Sequence, residues 1–574
     1  MNRPIHRFML LVGAAALLSL FTFACGGNSE DTDKPSPPRS GVEQAAPADQ
    51  QKLVVHGGEP MFLDPQLSRT GQDIAIERML FRGLYRIVLT EDGDLETQPA
   101  LADGEPEVDG NVYTIRLKAG LQWSDGRVLT AADFEYSLKR GCSPDTMAPY
   151  QYLLGMGALN IVGCDEYLMT MGKSPEEQAA QRDKVGVKAL DATTLEVTVA
   201  APKALFTTYM SLWPTYPLRQ DIIEQYGEAW TAPENIVGNG PFVLSEYAPK
   251  DHITLTPNQY WSLTPKPQLQ EITIKFIDDT AAAMRAFQTG ELAVAQVPPV
   301  ALADLEADPS LASEVIQVPS PRLWFINLQL GNEALSDENV RLALSRAIDR
   351  ETLVNVIYAG AYSPATYWVV EGLPGYQGDE FDSIIGYDPE AAKAALAEAG
   401  YPDGQGLPTL KLTVVDRPDR KAEAEFLAKA WKDVLGIQVE IEAVESRSMG
   451  QIFGTGQFDL LPGGWQNDYP DPESSLIGNF DTGGMNNLRG CSDPEIDSKL
   501  QAAAAEKDNS KRISLLQDAE DLVIGTLCGV IPLYQPSFVF LVSDGIGGIE
   551  PSGGIDASLP GDWCPECWFV KADE

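Results

Sequence analysis

The sequence predicts a mixed α/β architecture, because strand patterns and helix patterns alternate along the chain. In several short runs apolar residues recur at every second position, as in a strand with one buried face. These runs are Tyr113, Ile115 and Leu117, then Leu195, Val197 and Val199, then Ile272, Ile274 and Phe276.

Helices are predicted between these strands. Asp388 before Pro389 has the pattern of an N-cap followed by the first helical residue, and Gly400 marks the stop of an Ala-rich helix over 389–399. A second helix, over about 421–435, leads directly into the alternating run 437–441. A helix followed at once by a strand is half of a parallel crossover unit, which supports the α/β class.

Length and charge limit the possible functions. A chain of 574 residues with 44% hydrophobic residues can bury a large core and divides into several domains. The 83 acidic residues exceed the 42 basic residues and give a formal charge of -41. Such a surface repels phosphate backbones, so we expect no nucleic-acid partner.

The N-terminus has the pattern of a secretion signal. Arg3 and Arg7 precede the apolar run 8–24, which is too short for a comfortable membrane span. Ala24, Cys25 and Gly26 resemble a bacterial lipobox, although Thr22 stands where that motif prefers Leu. We therefore expect residues 1–25 to be a signal peptide and Cys25 to be lipidated.

Residues 26–50 are rich in Pro, Ser, Asp and Glu in their larger part and suit a flexible tether. The expected location is the periplasm or cell surface, with the chain anchored to the membrane through Cys25.

Six further cysteines form an even set, and in an exported chain disulfides are the default expectation. They are Cys142, Cys164, Cys491, Cys528, Cys564 and Cys567. Proximity in sequence favours Cys142 with Cys164. Cys564 pairs either with Cys567 or with one of the other two, so the connectivity of the last four stays open.

Motifs for catalysis and metal binding are missing. The only histidines are His6, His56 and His252, and neither HExxH nor GxSxG occurs. We predict no catalytic residue, no metal site and no cofactor. Acidic residues are too numerous for the sequence to exclude a carboxylate hydrolase, so an exported hydrolase stays an alternative.

The segment YTIRLKAGLQWSDGRVLTAADFEYSLKR, at 113–140, combines a strand, a turn at Asp125-Gly126 and a helix capped by Thr130. It resembles the signature of the dipeptide and oligopeptide branch of the bacterial extracellular solute-binding proteins, family 5. Further motifs resemble the family in the same order along the chain, namely EPMFLDP, FRGLY, GNGPFVLSEY, AMRAFQTGEL, NVRLALSRAIDRETLV, LAEAGYP and FDLLPGGWQNDYPDP.

This resemblance implies a fold similar to type II periplasmic binding proteins, with two lobes, a hinge and three domains. Domain I would combine residues 51–85, 225–318 and 532–574 as the first lobe. Residues 86–224 would be an inserted domain II, and 319–531 would be domain III, the second lobe. Ligand binding between the lobes would shift the population toward a closed form.

The resemblance also implies ligand contacts. Asp468, in a Trp-x-x-Asp motif before Pro470, would pair with the α-ammonium group of a peptide. Trp465 would be a pocket aromatic, Tyr150 would reach the ligand from domain II, and Arg69 would lie on a ligand-facing loop. A turn role for Asp468 and core roles for the two aromatic residues are the alternatives.

The segment 323–328, with Trp324 and Asn327, resembles a strand whose backbone would pair with an extended ligand. The sequence departs from the family at 449–465, which contains no Lys, Arg or His. A ligand carboxylate would therefore need Arg69, Arg447, Arg489 or water.

The implied function is that of a monomeric substrate-binding protein of an ABC importer, which captures peptides and delivers them to the permease and ATPase complex. It is not an enzyme. A non-peptide ligand with an amine, or a receptor that senses peptides without import, are alternatives. Asp468 favours an amine, and the scarcity of histidine argues against a nickel complex.

Overall fold

The computed structural model describes residues 44–90, 93–552 and 558–572. Cys25, the predicted signal peptide and the first part of the predicted tether lie outside the described residues. The remaining part of the tether packs on the folded chain, since the N–H of Ala46 donates to the carbonyl of Val570 at 2.8 Å. The packed chain therefore starts before the predicted residue 51.

A seven-stranded mixed sheet forms the centre of the first lobe. Leu53 and Val55 are buried on one of its inner strands, which runs parallel to both of its neighbours. In spatial order the strands are Val315–Pro319, Ser537–Val542, Val294–Val297, Lys52–Gly57, Glu271–Phe276, His252–Pro257 and Phe242–Ala248.

Smaller sheets complete the first lobe. The predicted strand runs near 113 and 195 pair with each other inside a four-stranded sheet, and Tyr113 and Ile115 are buried as their alternation predicts. This sheet consists of Glu107–Asp109, Val112–Arg116, Thr194–Thr198 and Val187–Ala189. Two strand pairs accompany it, Tyr85–Leu89 with Leu95–Pro99 and Ile546–Gly547 with Phe569–Val570.

A six-stranded sheet forms the centre of the second lobe. In spatial order its strands are Ser363–Pro364, Val530–Gln535, Arg322–Leu328, Leu460–Gln466, Leu410–Val415 and Val439–Val444. The predicted crossover unit is confirmed, because the last two strands are parallel and helix Pro418–Leu435 connects them. This helix begins three residues before the predicted start, since Pro418 suits its first turn, and Gly436 with φ +71° ends it.

Helices cover both sheets. The predicted helix over 389–399 is present as Pro389–Glu398, and the side chain of Asp388 accepts from the N–H of Ala391 at 2.9 Å. The first lobe contains helices Gly71–Leu80, Ala131–Gly141, Cys164–Leu168, Pro175–Arg182, Phe206–Tyr209, Gln220–Tyr226, Thr280–Gln288 and Leu302–Ala307. The second contains Glu338–Arg346, Arg350–Tyr358, Asp382–Ile385, Pro389–Glu398, Pro418–Leu435, Ser446–Thr455, Glu473–Leu476, Pro494–Ala505 and Asn509–Gly525.

The two lobes have separate hydrophobic cores and are joined by two adjacent crossings of the chain. One core surrounds Trp123 and Phe134, and the other surrounds Trp368 and Trp431. The chain crosses near Ser320 and again near Pro536, where the N–H of Ser320 donates to the carbonyl of Pro536 at 2.8 Å. The predicted boundary between 531 and 532 falls inside strand Val530–Gln535, which pairs wholly within the second sheet.

Three disulfides are formed in the structure. Cys142 bonds to Cys164, which is the pairing that proximity favours. Of the alternatives left open, the structure has Cys491 with Cys528 and Cys564 with Cys567. Within the described ranges, no helix is both long enough and apolar enough to span a bilayer.

Candidate functional site

A cleft of about 410 Å³ opens between the two lobes. Three predicted residues, Arg69, Tyr150 and Asp468, line it together. Its other lining residues are Thr70, Gly71, Gln72, Ile74, Arg78, Ile87, Leu212, Trp213, Pro321, Arg322, Gln466, Asn467, Tyr469 and Pro470. Both lobes therefore contribute walls to the cleft, and the segment of the first lobe that contains Tyr150 and Trp213 forms a third wall.

Asp468 lies in the turn that follows strand Leu460–Gln466. The N–H of Asn467 donates to the carbonyl of Pro321 at 2.9 Å, and the N–H of Asp468 donates to Ser474 Oγ at 3.0 Å. These bonds attach the turn to the crossing segment on one side and to the start of a short helix on the other. The carboxylate of Asp468 is thereby held at the cleft wall.

The carboxylate of Asp468 is partly buried and accepts a hydrogen bond from the hydroxyl of Tyr152. Among the described residues, no Lys, Arg or His approaches it within ion-pair distance. Burial raises the pKa of Asp468, and the bond from Tyr152 lowers it in part. Asp468 is thus an acidic group in the cleft without a cationic partner among the described residues.

Arg69 is placed by the start of helix Gly71–Leu80. Thr70 caps this helix, and the buried carboxylate of Asp73 accepts from the N–H groups of Met61 at 2.7 Å and Arg69 at 2.9 Å. The Arg69 side chain is exposed, with its guanidinium 5.8 Å from the centre of the Phe62 ring.

Tyr150 packs edge-on against Trp213, with ring centres 4.9 Å apart. Burial raises the pKa of Tyr150 to about 12. Tyr152, two residues further along, is the residue that bonds to Asp468, and the sequence motif did not single it out. The spacing of two tyrosines, at 150 and 152, was the available signal, but only the fold shows which of them meets the carboxylate.

Two more cleft residues escaped the sequence prediction. Trp213 Nε1 and Asn467 Oδ1 are buried and have no hydrogen-bond partner among the described residues. One is a donor and the other an acceptor. A buried polar atom without a partner costs free energy, so both atoms suit a ligand that supplies the missing bonds.

Trp465 and Asn327 line a second cavity, of about 290 Å³, on one face of the six-stranded sheet. They share this face because Leu323 pairs with Trp465 and Asn327 pairs with Leu461 across antiparallel strands. Trp465 Nε1 donates to the carbonyl of Ser474 at 3.0 Å. The cavity adjoins the cleft, since Trp465 lines the former and Gln466 lines the latter.

Trp324 lies on the opposite face of the same strand, because it is three residues from Asn327 and side chains alternate. Its indole N–H donates to Glu423 Oε1 at 3.0 Å, and the Arg420 guanidinium is 3.8 Å from the centre of its ring. The structure therefore places Trp324 against helix Pro418–Leu435 and outside both cavities.

The segment 323–328, whose backbone was expected to pair with an extended ligand, is already paired on both edges over 324–327. Strand Arg322–Leu328 pairs with Leu460–Gln466 along one edge and with Val530–Gln535 along the other. Both of its edges are occupied by neighbouring strands. A ligand strand would need a different edge of the sheet.

The two other arginines predicted to hold a ligand carboxylate, Arg447 and Arg489, lie in different places. Arg447 is exposed and pairs with Glu445 at 2.6 Å, outside both cavities. Arg489 is buried and lines the second cavity. No group of three or more His, Cys, Asp or Glu side chains suited to a metal ion is found in the part of the chain that the structure describes.

Residues 96–487 match the middle region of the bacterial extracellular solute-binding proteins, family 5. The chain is 30% identical to the "Probable deoxycholate-binding periplasmic protein YgiS" of Escherichia coli K12, over 85% of this chain and 89% of that protein. It is also 30% identical to the periplasmic oligopeptide-binding protein OppA of the same organism, over 89% of this chain and 91% of OppA.

A solved structure of the periplasmic murein tripeptide-binding protein MppA, in an unliganded open form, has a similar fold. The TM-score is 0.78 with 25% identity, over 93% of this chain and 99% of MppA. These similar proteins are solute-binding proteins and not enzymes. With a two-lobed α/β fold and a family match over residues 96–487, the chain belongs to the bacterial extracellular solute-binding proteins, family 5.

Proposed function

We propose that this protein is the substrate-binding protein of an ABC importer and that it captures peptides with a free amino terminus. The observation that carries the proposal is Asp468, a partly buried carboxylate in the interlobe cleft that has no cation beside it in the part of the chain that the structure describes. A carboxylate removed from water is costly until an opposite charge reaches it. The α-ammonium group of a peptide supplies that charge and several hydrogen-bond donors.

The ligand backbone has an available strand edge. Strand Leu460–Gln466 pairs with Leu410–Val415 only at Leu460, so within the described residues its edge from 461 onward has no strand partner. An extended peptide added there would bond through main-chain groups, whatever its side chains are. We propose this edge in place of 323–328.

The unpartnered atoms of Trp213 and Asn467 support the same ligand class. A peptide unit offers one acceptor and one donor, which match Trp213 Nε1 and Asn467 Oδ1. Arg69 and Arg322 are both exposed cations of the cleft, and we assign Arg69 to an acidic group of the ligand. Tyr150 contributes an apolar ring to the wall. Because these contacts involve few ligand side chains, peptides of many sequences could bind.

Delivery would use the two-lobed shape. We propose domain I as 51–85, 225–318 and the C-terminal segment, domain II as 86–224, and domain III as the second lobe up to the crossing near Pro536. Closure about the crossings at Ser320 and Pro536 would present the ligand-bound form to the permease and ATPase complex. Lipidation of Cys25 would keep a monomeric receptor beside the membrane.

A second candidate keeps the fold and changes the ligand. The similarity to a protein whose name describes probable deoxycholate binding favours a non-peptide organic acid as the alternative. This ligand would leave Asp468 without a cation, unless it also carried an amine.

Native mass spectrometry of the purified protein tests the proposal, with identification of whatever co-purifies. We expect masses of short peptides with free amino termini. A single uniform non-peptide mass would overturn the peptide assignment and favour the second candidate. Added N-acetylated peptides serve as the control, because they lack the cation that Asp468 requires.

A further inference from the structure

Arg489 is a buried cation that lines the same cavity as strand Leu460–Gln466, whose edge we propose for the ligand backbone. Only 1% of its surface is exposed. Its Nη1 donates to Asn327 Oδ1 at 3.0 Å and its Nη2 donates to the carbonyl of Asn479 at 2.8 Å. Its Nε has no hydrogen-bond partner among the described residues. The side chain is therefore only partly satisfied by neutral groups.

No carboxylate of the described residues forms an ion pair with this guanidinium, in contrast to the buried Arg512 and in common with the buried Arg350. Arg512, also 1% exposed, forms ion pairs with Asp471 and Glu473. Arg350 donates to several carbonyl groups and to Ser345 Oγ at 2.8 Å. Burial lowers the pKa of Arg489 to about 9, with no acidic neighbour to offset it. The charge of Arg489 thus lacks a counterion.

The surroundings hold Arg489 rigidly in this position. Gly529 has φ +79°, and a Cβ at that residue would lie 2.7 Å from Arg489 Cδ. The arginine stem thus occupies space that only glycine leaves open. The disulfide between Cys491 and Cys528 joins the two segments within two residues of this contact. The packing of the second lobe therefore fixes the position of the guanidinium.

The cavity in front of Arg489 has mostly apolar walls, to which three asparagines, Asn327, Asn479 and Asn486, add amide groups. Phe325, Phe453 and Trp465 form walls of the space of about 290 Å³, and none of its lining residues is acidic. Asn479 Nδ2 is a second donor without a partner among the described residues. Two open donors in a mostly apolar cavity next to the cleft match one acidic group on an apolar stem.

We propose that this cavity is a subsite for a carboxylate-bearing group of the ligand, and that Arg489 is the residue that selects it. The inference rests on the proposed capture of peptides in the adjoining cleft. The carboxylate would receive the open donors of Arg489 and Asn479, while its aliphatic stem packs on the aromatic walls. An acidic side chain and a peptide C-terminus share this chemistry.

Isothermal titration of the full-length protein with a defined peptide set tests the subsite. The set contains trialanine, its C-terminal amide, and trialanines with Glu or Gln at each position. We expect one acidic member to bind about 10- to 100-fold more tightly than its neutral isostere. A Glu-over-Gln preference identifies a side chain as the source, and an acid-over-amide preference identifies the C-terminus.

Two variants locate the effect. Arg489→Met should remove the preference, whereas Arg447→Met, which changes an exposed arginine of the neighbouring helix, should retain it. If the wild-type protein binds acids and neutral isosteres equally, the subsite is refuted while peptide capture stands. This comparison needs no variant, so it holds even where Arg489→Met fails to fold. Absence of binding by every peptide refutes the proposed function, and the subsite with it.

Discussion

The hydroxyl of Tyr152 donates a hydrogen bond to Oδ2 of Asp468, so two segments 316 residues apart meet at the carboxylate of the cleft. Tyr152 comes from the first lobe, between strands Val112–Arg116 and Val187–Ala189, and Asp468 comes from the second lobe. The bond satisfies one oxygen of the acid without neutralising its charge. A ligand cation is still required for full compensation.

Replacing Asp468 with Asn should weaken binding of free-amine peptides by at least about 30-fold, because breaking a buried charge pair costs about 2 kcal/mol or more. The fold should persist, since Asn keeps the size of the side chain. Titration calorimetry measures the affinity, and thermal unfolding checks the fold. The exposed Asp304→Asn is the matched control. Undiminished peptide binding by Asp468→Asn would show that the anchor assignment is wrong.

Tyr152→Phe should shift the midpoint of the pH dependence of peptide affinity to a higher pH. The ammonium group needs a charged Asp468, so affinity falls as the pH drops through the pKa of this acid. Tyr152 lowers that pKa against the opposing effect of burial, and its loss should raise the pKa further. Affinities measured between about pH 4 and pH 8 report the midpoint. Tyr150→Phe should leave the midpoint in place, and an identical midpoint in Tyr152→Phe would refute the coupling.

Glu520 should make the second lobe less stable as the pH rises. This fully buried acid accepts from the N–H groups of Trp368 and Val369, both at 2.7 Å, and burial raises its pKa from 4.5 to about 7. Between these values the folded protein retains a proton that the unfolded chain has released. Stability from this group is therefore present below about pH 4.5 and is lost as the pH rises through about 7.

Glu520→Gln should remove that dependence. Relative to the wild type, its free energy of unfolding should rise by up to about 3 kcal/mol between pH 5 and pH 8. Urea unfolding followed by tryptophan fluorescence measures the difference, with the exposed Glu398→Gln as a control. A constant difference across this range would contradict the prediction.

Peptide mapping without reduction should recover the pairs Cys142–Cys164, Cys491–Cys528 and Cys564–Cys567. Removing the second pair should cost roughly 2–4 kcal/mol, since it closes a loop with a sequence separation of 37. Removing the third should cost less, because its separation is only 3. Denaturant unfolding of the two double-serine variants compares them, and the reverse order would count against the loop-entropy account.

The helices and strands around the site were more predictable from the sequence than the side-chain contacts within it. The helix at Pro389 was predictable from Asp388 and Gly400, because capping and left-handed backbone are properties of neighbouring residues. Trp324 and Asn327 were grouped together because they share one strand. The alternation of strand side chains places them on opposite faces, and the cavity borders the face of Asn327, which lines it, and not that of Trp324.

By itself, the sequence determined the α/β class, the order of the main elements, the family resemblance and Asp468 as a candidate anchor. These follow from periodicity, capping and motifs, which are local in the chain. Only the tertiary structure decided that Tyr152 meets Asp468, that Cys491 pairs with Cys528, and that Arg489 is buried with no counterion from the described ranges. Burial, charge pairing and free strand edges depend on which distant segments pack together, and packing is a property of the whole fold.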